Sequence, residues 1–143
     1  MHIVFDMDNT LTDEFGKDIR PGMVDLLSQL KNEGHTLTLW TNSARRRALE
    51  IIHYHNLKNY FSKCIFREDY DKHNEGLNKD IRKINADILI DDDPDEISYT
   101  RKMGKTGILI NPFRSTSSPD EDELSAIYKA IKKKTKFFYR LLH

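Results

Sequence analysis

One cysteine, Cys64, stands in the 143 residues, so no internal disulfide can form, which fits a reducing compartment and reads as cytoplasmic. Charge of either sign is not in excess. Lys and Arg number 23, Asp and Glu 23, which argues against a uniformly basic nucleic-acid protein but leaves room for a locally charged site. No apolar run approaches the ~18 residues that a membrane span needs. Met1 leads straight into the first apolar stretch, leaving no room for a signal peptide. There is no internal repeat. What is present is a chain the size of one ordinary domain, long enough to bury a core.

Along the chain, short apolar runs alternate with helical patterns. Residues 2–6 read as a buried strand. Residues 11–20 are a polar loop. Met23, Leu26, Leu27 and Leu30 recur at the spacing of one helix face, opened by Pro21 and Gly22 and ended by Gly34. Residues 35–41, HTLTLWT, have strand composition. Ser43 is placed to cap a helix over 44–56. A short strand at 63–66 is followed by an irregular polar stretch at 67–78, a short helix near 79–85, and a strand over 86–91. A helix then starts at Pro94 and ends at Gly104, followed by a strand at 106–110. Residues 111–118 form a linker. Ser118, Pro119, Asp120 and Glu121 combine a capping box with proline at the first helical position, ahead of an amphipathic helix over 119–142.

Strands alternating with helices imply a mostly parallel five-stranded sheet between helical layers, a Rossmann-like α/β sandwich. Such sheets bind ligands beyond the C-terminal strand ends. Asp6, Thr41 and the run Asp91, Asp92, Asp93 fall there. Carboxylates crowded into one crevice need a cation. Oxygen ligands without paired His or Cys point to Mg²⁺. A carboxylate beside such a cation can attack phosphorus, a second can move a proton, and a hydroxyl and a lysine can hold the non-bridging oxygens.

The motif DMDNT, residues 6 to 10, resembles the DxDxT signature of haloacid dehalogenase (HAD) superfamily phosphohydrolases. The other family motifs follow in order: LTLWT ending at Thr41, a lysine at Lys79 in GLNKDI, and paired acids in ILIDDDP. The likeness covers about residues 2 to 113. It implies that Asp6 is the nucleophile and a metal ligand, and that Asp8 is the general acid and base with its carbonyl on the metal. It further implies that Thr41, with Asn42, binds the phosphoryl group and that Lys79 balances its charge. Asp92 would complete the Mg²⁺ site, with Asp91 as the alternate. Lys72 is the rival for the lysine.

Family members carry cap domains after the first or third strand. Only ten residues separate positions 10 and 21, and twelve separate 66 and 79, so neither gap holds a domain. The resemblance is therefore to the capless branch, such as C-terminal-domain-type and magnesium-dependent phosphatases. The expectation is one HAD-like domain over 1–143, with a core over 1–113. It would be a Mg²⁺-dependent phosphomonoester hydrolase, open to a phosphate on a macromolecule or on a small molecule. Nucleic acid would enter only as substrate, and an oligomer would be compatible. The alternative is a non-catalytic HAD-like or receiver-like regulatory module that binds Mg²⁺ or phosphate. Receiver acceptors end the third strand, however, whereas the acceptor candidate here ends the first.

Other features have plainer readings. Arg45, Arg46 and Arg47 read as a solvated helix face, one of which could reach substrate. Asp95 and Glu96 suit a helix first turn, and Asp93 suits its cap. His53 and His55 do not share a helix face, and His73 could line the site. Cys64 reads as a small buried hydrophobe. The last helix sets Leu124, Ile127, Tyr128 and Ile131 against a lysine-rich side. It either packs on its own domain or docks on acidic lipid or nucleic acid.

Overall fold

The computed structural model describes residues 1–118 and 120–143, and of Glu121 the backbone alone. The elements run β1 (His2–Phe5), α1 (Met23–Asn32), β2 (Thr36–Trp40), α2 (Arg45–Tyr54), β3 (Lys63–Ile65), α3 (Arg67–Tyr70), β4 (Ile88–Asp91), α4 (Pro94–Lys102), β5 (Thr106–Leu109) and α5 (Glu121–Leu142). Short 3₁₀ turns occur at Lys58–Tyr60 and Ile81–Ile84. All five strands are parallel, in the order β3-β2-β1-β4-β5.

The central strands β1 and β4 are buried along nearly their whole length because both sheet faces are covered. Successive side chains point to opposite faces. Ile3 and Phe5 join Leu37, Leu39, Ile88 and Ile90 on one side, under α1, α2 and α5. Val4, Trp40, Ile65 and Leu89 pack on the other side with Ile81 and Ile97 of α4. The result is a three-layer Rossmann-like sandwich of the HAD type, with no cap domain in either gap.

Local details depart from expectation at helix starts. Ser43 does not cap α2. The N-cap is Ala44, with no side-chain bond, and the Arg45 N–H is instead met by the Glu68 carboxylate at 3.0 Å. Glu68 belongs to α3, a helical turn inside the stretch expected to be irregular, so tertiary contact supplies the missing cap. The short helix near 79–85 is a 3₁₀ turn, started by Asp80, whose carboxylate accepts from Arg82 N. The final helix starts at Glu121, and its cap is Asp120, which accepts from Asp122 N at 3.0 Å. Ser118 is not the cap. Pro119 and the Glu121 side chain, the rest of the expected capping box, lie outside the described residues. Asp93 does cap α4, accepting from Asp95 N at 2.9 Å. Cys64 is half-buried rather than fully buried.

Candidate active site

Parallel pairing carries the chain one residue past two strand ends. The Asp6 N–H donates to Ile90 O at 3.0 Å, and the Thr41 N–H to Ile65 O at 2.9 Å. Asp91 is the last residue of β4, the neighbour of β1. Asp6, Thr41, Asp91 and Asp92 therefore emerge together at the C-terminal edge of the sheet. After Asp6 the chain turns tightly: Met7 O accepts from the N–H groups of Thr10, Leu11 and Thr12. Asn9 takes φ 64°, a left-handed conformation that asparagine tolerates better than most residues. Its backbone and side chain both bond Phe113, which ties the turn to the segment after β5.

Each oxygen of the buried Asp6 has a donor. Lys79 Nζ lies 2.8 Å from one, and Thr10 Oγ1 donates to the other at 2.9 Å. The same ammonium reaches Asp91 at 2.7 Å. The second Asp91 oxygen accepts the Asp93 N–H at 3.0 Å, so both Asp91 oxygens are engaged. Asp92 is half-buried, and Thr10 Oγ1 lies 3.3 Å from it. One oxygen from each of Asp6, Asp91 and Asp92 comes within 4.8 Å of the other two.

Burial pushes the Asp6 carboxyl up to about 6, and Lys79 only partly offsets it. Asp91 is raised to about 6 by the same burial, again partly offset by Lys79. Asp92 is raised as well, chiefly by desolvation. Burial alone would lower Lys79, but Asp6 and Asp91 outweigh it and hold the ammonium above its ordinary value. Three clustered carboxylates thus share one buried lysine. The excess negative charge and the all-oxygen donor set suit a hard divalent cation such as Mg²⁺.

Lys79 reaches the site because Glu96 holds its loop. One Glu96 oxygen accepts the Lys79 N–H at 2.9 Å, and the other accepts the Asn78 side-chain amide at 2.5 Å. Glu96 is therefore a clamp, not only a first-turn acid of α4. Lys72 and His73 are exposed, and neither lines the site. Thr41 is buried, and its Oγ1 accepts the Ser43 N–H at 3.0 Å, which leaves the hydroxyl proton to donate elsewhere. Asn42 lines the same pocket.

Asp8 stands at the rim with a partner that the residue pattern did not single out. Arg47, one turn into α2, donates from both terminal nitrogens to the two Asp8 oxygens at 2.9 Å each. Arg46 points to Glu50 on the exposed face, and Arg45 pairs with Asp69. Only the third arginine of the run lines the site. Arg20 is the other residue that the pattern missed. It is buried and donates to the carbonyls of Thr10 at 2.8 Å and Asn9 at 2.9 Å, and it pairs with Glu123 of α5 at 3.2 Å. The pocket encloses about 670 Å³, and Tyr70, Leu77, Pro112 and Arg114 complete its walls.

The model of the NLI interacting factor-like phosphatases matches residues 1–139. The chain belongs to this family. It is a HAD-type family, so the protein is a phosphatase, and the match takes in α5 as well as the core. No curated protein sequence matches the chain. Among solved structures it is similar to a D,D-heptose 1,7-bisphosphate phosphatase from B. bronchiseptica, at 14% identity and TM-score 0.65, covering 93% of this chain and 98% of that one. It is similar to a HAD-superfamily hydrolase from Ehrlichia chaffeensis, at 16% identity and TM-score 0.65, over 92% and 95% of the two chains. It also resembles a conserved protein from Bacteroides thetaiotaomicron, at 25% identity and TM-score 0.54, over 94% and 91%. At these identities the first two likenesses speak to the fold. No described helix is long and apolar enough to cross a membrane.

Proposed function

We propose that this NLI interacting factor-like phosphatase hydrolyses phosphate monoesters through an aspartyl-phosphate on Asp6, with Mg²⁺ held by Asp6, Asp92 and the carbonyl of Asp8. The observation that carries the reading is Asp6 itself, a buried carboxylate held by Lys79 on one oxygen and Thr10 on the other at the floor of an open pocket. The cluster of Asp6, Asp91 and Asp92 supports the metal assignment. Asp92 is favoured over Asp91 because the resemblance puts the ligand on the second acid of the pair, and Asp92 is the half-buried one facing the pocket while Asp91 is buried. The B. bronchiseptica phosphatase is described in complex with magnesium and phosphate, which supports Mg²⁺ as the cation. A divalent ion bound there would draw charge from the phosphoryl oxygens and neutralise the acids.

In the first step an Asp6 oxygen attacks phosphorus and the bond to the leaving oxygen breaks. Asp8 gives that oxygen its proton. In the second step water attacks the phosphorus, Asp8 takes a proton from it, and the phosphorus–Asp6 bond breaks to release inorganic phosphate. Lys79 and the Thr41 hydroxyl, with Asn42 beside it, hold the non-bridging oxygens as charge builds. Arg47 forks onto both Asp8 oxygens in the resting site; when Asp8 carries its proton, the contact to the protonated oxygen gives way and the other keeps the carboxyl aimed at the leaving oxygen. The wide mouth, with no cap over it, suits a phosphate carried on a macromolecule or on a small molecule whose remainder extends past Tyr70 and Leu77.

The test is hydrolysis of an aryl phosphate with Mg²⁺ and with chelator, followed by sugar phosphates, nucleotides, phosphopeptides and phosphorylated nucleic-acid ends. Turnover that needs Mg²⁺ and vanishes in Asp6→Asn is expected. Full turnover in the Asn variant would overturn the role of Asp6.

A further inference from the structure

We propose that the last two turns of α5 are a docking surface for an anionic lipid bilayer. The helix behaves as two pieces. As far as Thr135 it is bound to the body. Leu124, Ile127 and Ile131 are buried, Tyr128 donates to Glu33 just after α1, and the Thr135 hydroxyl lies 3.4 Å from the Met1 sulfur. Every residue from 136 to 143 is exposed. Yet this end carries Phe137, Phe138, Tyr139, Leu141 and Leu142, with exposures from 38% at Phe138 to 76% at Leu142. Such exposure is expensive for a helix that only needs to be soluble.

Helical spacing says which face is left over. Phe138 follows Ile131 by seven residues and Leu142 by eleven, so both continue the line that packs on the body. That face runs on for about 10 Å with nothing beneath it among the described residues. Lys129, Lys132, Lys133, Lys136 and Arg140 lie away from it, Lys134 flanks its edge, and no acid occurs from 124 to 143. Apolar on one side and basic on the other is the pattern of a helix lying in a membrane interface.

Charge selects the occupant. The same helix from a second copy would bring cations against cations with no acid to pair them. Nucleic acid would neutralise the lysines and leave the rings in water. Anionic headgroups meet the lysines while the acyl boundary takes Phe138 and Leu142. The placement also suits catalysis. The helix starts beside Arg20 and Asn111 at the catalytic edge and reaches Met1 at the opposite end of β1. A docked protein would keep the mouth of its pocket free.

The experiment uses the full chain and sedimentation with vesicles of phosphatidylcholine alone or mixed with phosphatidylserine. Binding to the mixed vesicles is expected, with at least a tenfold loss on phosphatidylcholine alone and in high salt. Phe138→Ser with Leu142→Ser should weaken binding about tenfold, and Lys133→Glu or Lys136→Glu by about fivefold or more each. Turnover of a soluble aryl phosphate should be the same in all variants, which shows that they fold. No binding to mixed vesicles overturns the proposal. So does binding that ignores the loss of Phe138 and Leu142, since that is a polyanion site such as nucleic acid would use. A concentration-dependent dimer lost in the Phe138, Leu142 variant, without vesicle binding, overturns it in favour of a second copy.

Discussion

Arg47 grips Asp8 with a two-pronged ion pair, both distances 2.9 Å, from a helix that begins 37 residues after the Asp8 turn. The fork holds the rim carboxylate in one orientation. Arg47→Ala frees Asp8 to sample other rotamers. We expect kcat to fall about tenfold with poor leaving groups, through lost orientation, and far less with a leaving group that needs no proton. Steady-state kinetics on a series of aryl phosphates of graded leaving-group acidity checks this. An equal loss across the series would mean that Arg47 binds phosphate rather than orienting Asp8.

Asp6→Asn should abolish turnover and change how stability depends on pH when the metal is stripped away. The folded Asp6 carboxyl sits at about 6, above its ordinary 3.8, because burial disfavours the charge. A value raised by folding gives stability that is complete below the ordinary value and is lost as pH rises through the folded one. Asparagine does not titrate. In chelator, the unfolding free energy of the variant should therefore gain on wild type between pH 4 and 6, by about 1.4 kcal/mol per pH unit of that window, and its lead should stay level above it. Thermal melts across that range decide the matter. A constant difference would mean that Asp6 titrates normally.

The two acids after β4 should fail differently. Asp92→Ala removes a half-buried carboxylate whose near hydroxyl, Thr10 Oγ1 at 3.3 Å, already donates to Asp6, so the Mg²⁺ needed for half-maximal rate should rise about tenfold or more while the metal-free fold is unharmed. Asp91→Ala strips Lys79 of a 2.7 Å partner and leaves the Asp93 N–H unmet. Breaking such a buried pair typically costs about 3–5 kcal/mol, so this variant should lose stability first. Metal titrations and denaturant melts on both proteins separate the effects. The reverse pattern would exchange the roles.

Glu96→Gln keeps the shape of the clamp but sets an amide NH₂ against one of two donors, Asn78 Nδ2 or Lys79 N. The amide can keep its oxygen on Lys79 N and turn its NH₂ to the exposed Asn78 side chain, but two charge-assisted bonds become neutral ones, at about 1 kcal/mol or more. The loop that carries Lys79 should loosen. Denaturant melts should show the loss, and kcat should fall with little change in KM because Lys79 acts on developing charge. Unchanged stability and rate would mean that the loop holds itself through the Asp71 contacts to Glu75, Gly76 and Leu77.

Much of this molecule is legible as a string because parallel sheets place chemistry where strands stop. An apolar run long enough for one strand, then Asp6; another, then Thr41; another, then Asp91 and Asp92: each junction is local, and the parallel order follows from the alternation of strands and helices. Lys79 is readable for the same reason, lying just ahead of β4. The three strand-end positions do converge at one edge of the sheet, with Lys79 between two of the acids. Local propensity is weaker at helix starts, where Glu68 from α3 displaced the expected cap at Ser43. Which arginine of three turns inward depends on where α2 sits over the Asp8 turn, and no spacing within the run encodes that. The Glu96 clamp joins residues 17 apart in sequence through packing of α4 against the sheet. Helical period likewise tells which side of α5 is apolar. It does not tell where the body beneath that side ends, and the body ends at Thr135. Short-range covalent order dictates elements and their terminal residues, whereas the reach of a long side chain across the folded surface is decided only when the layers close.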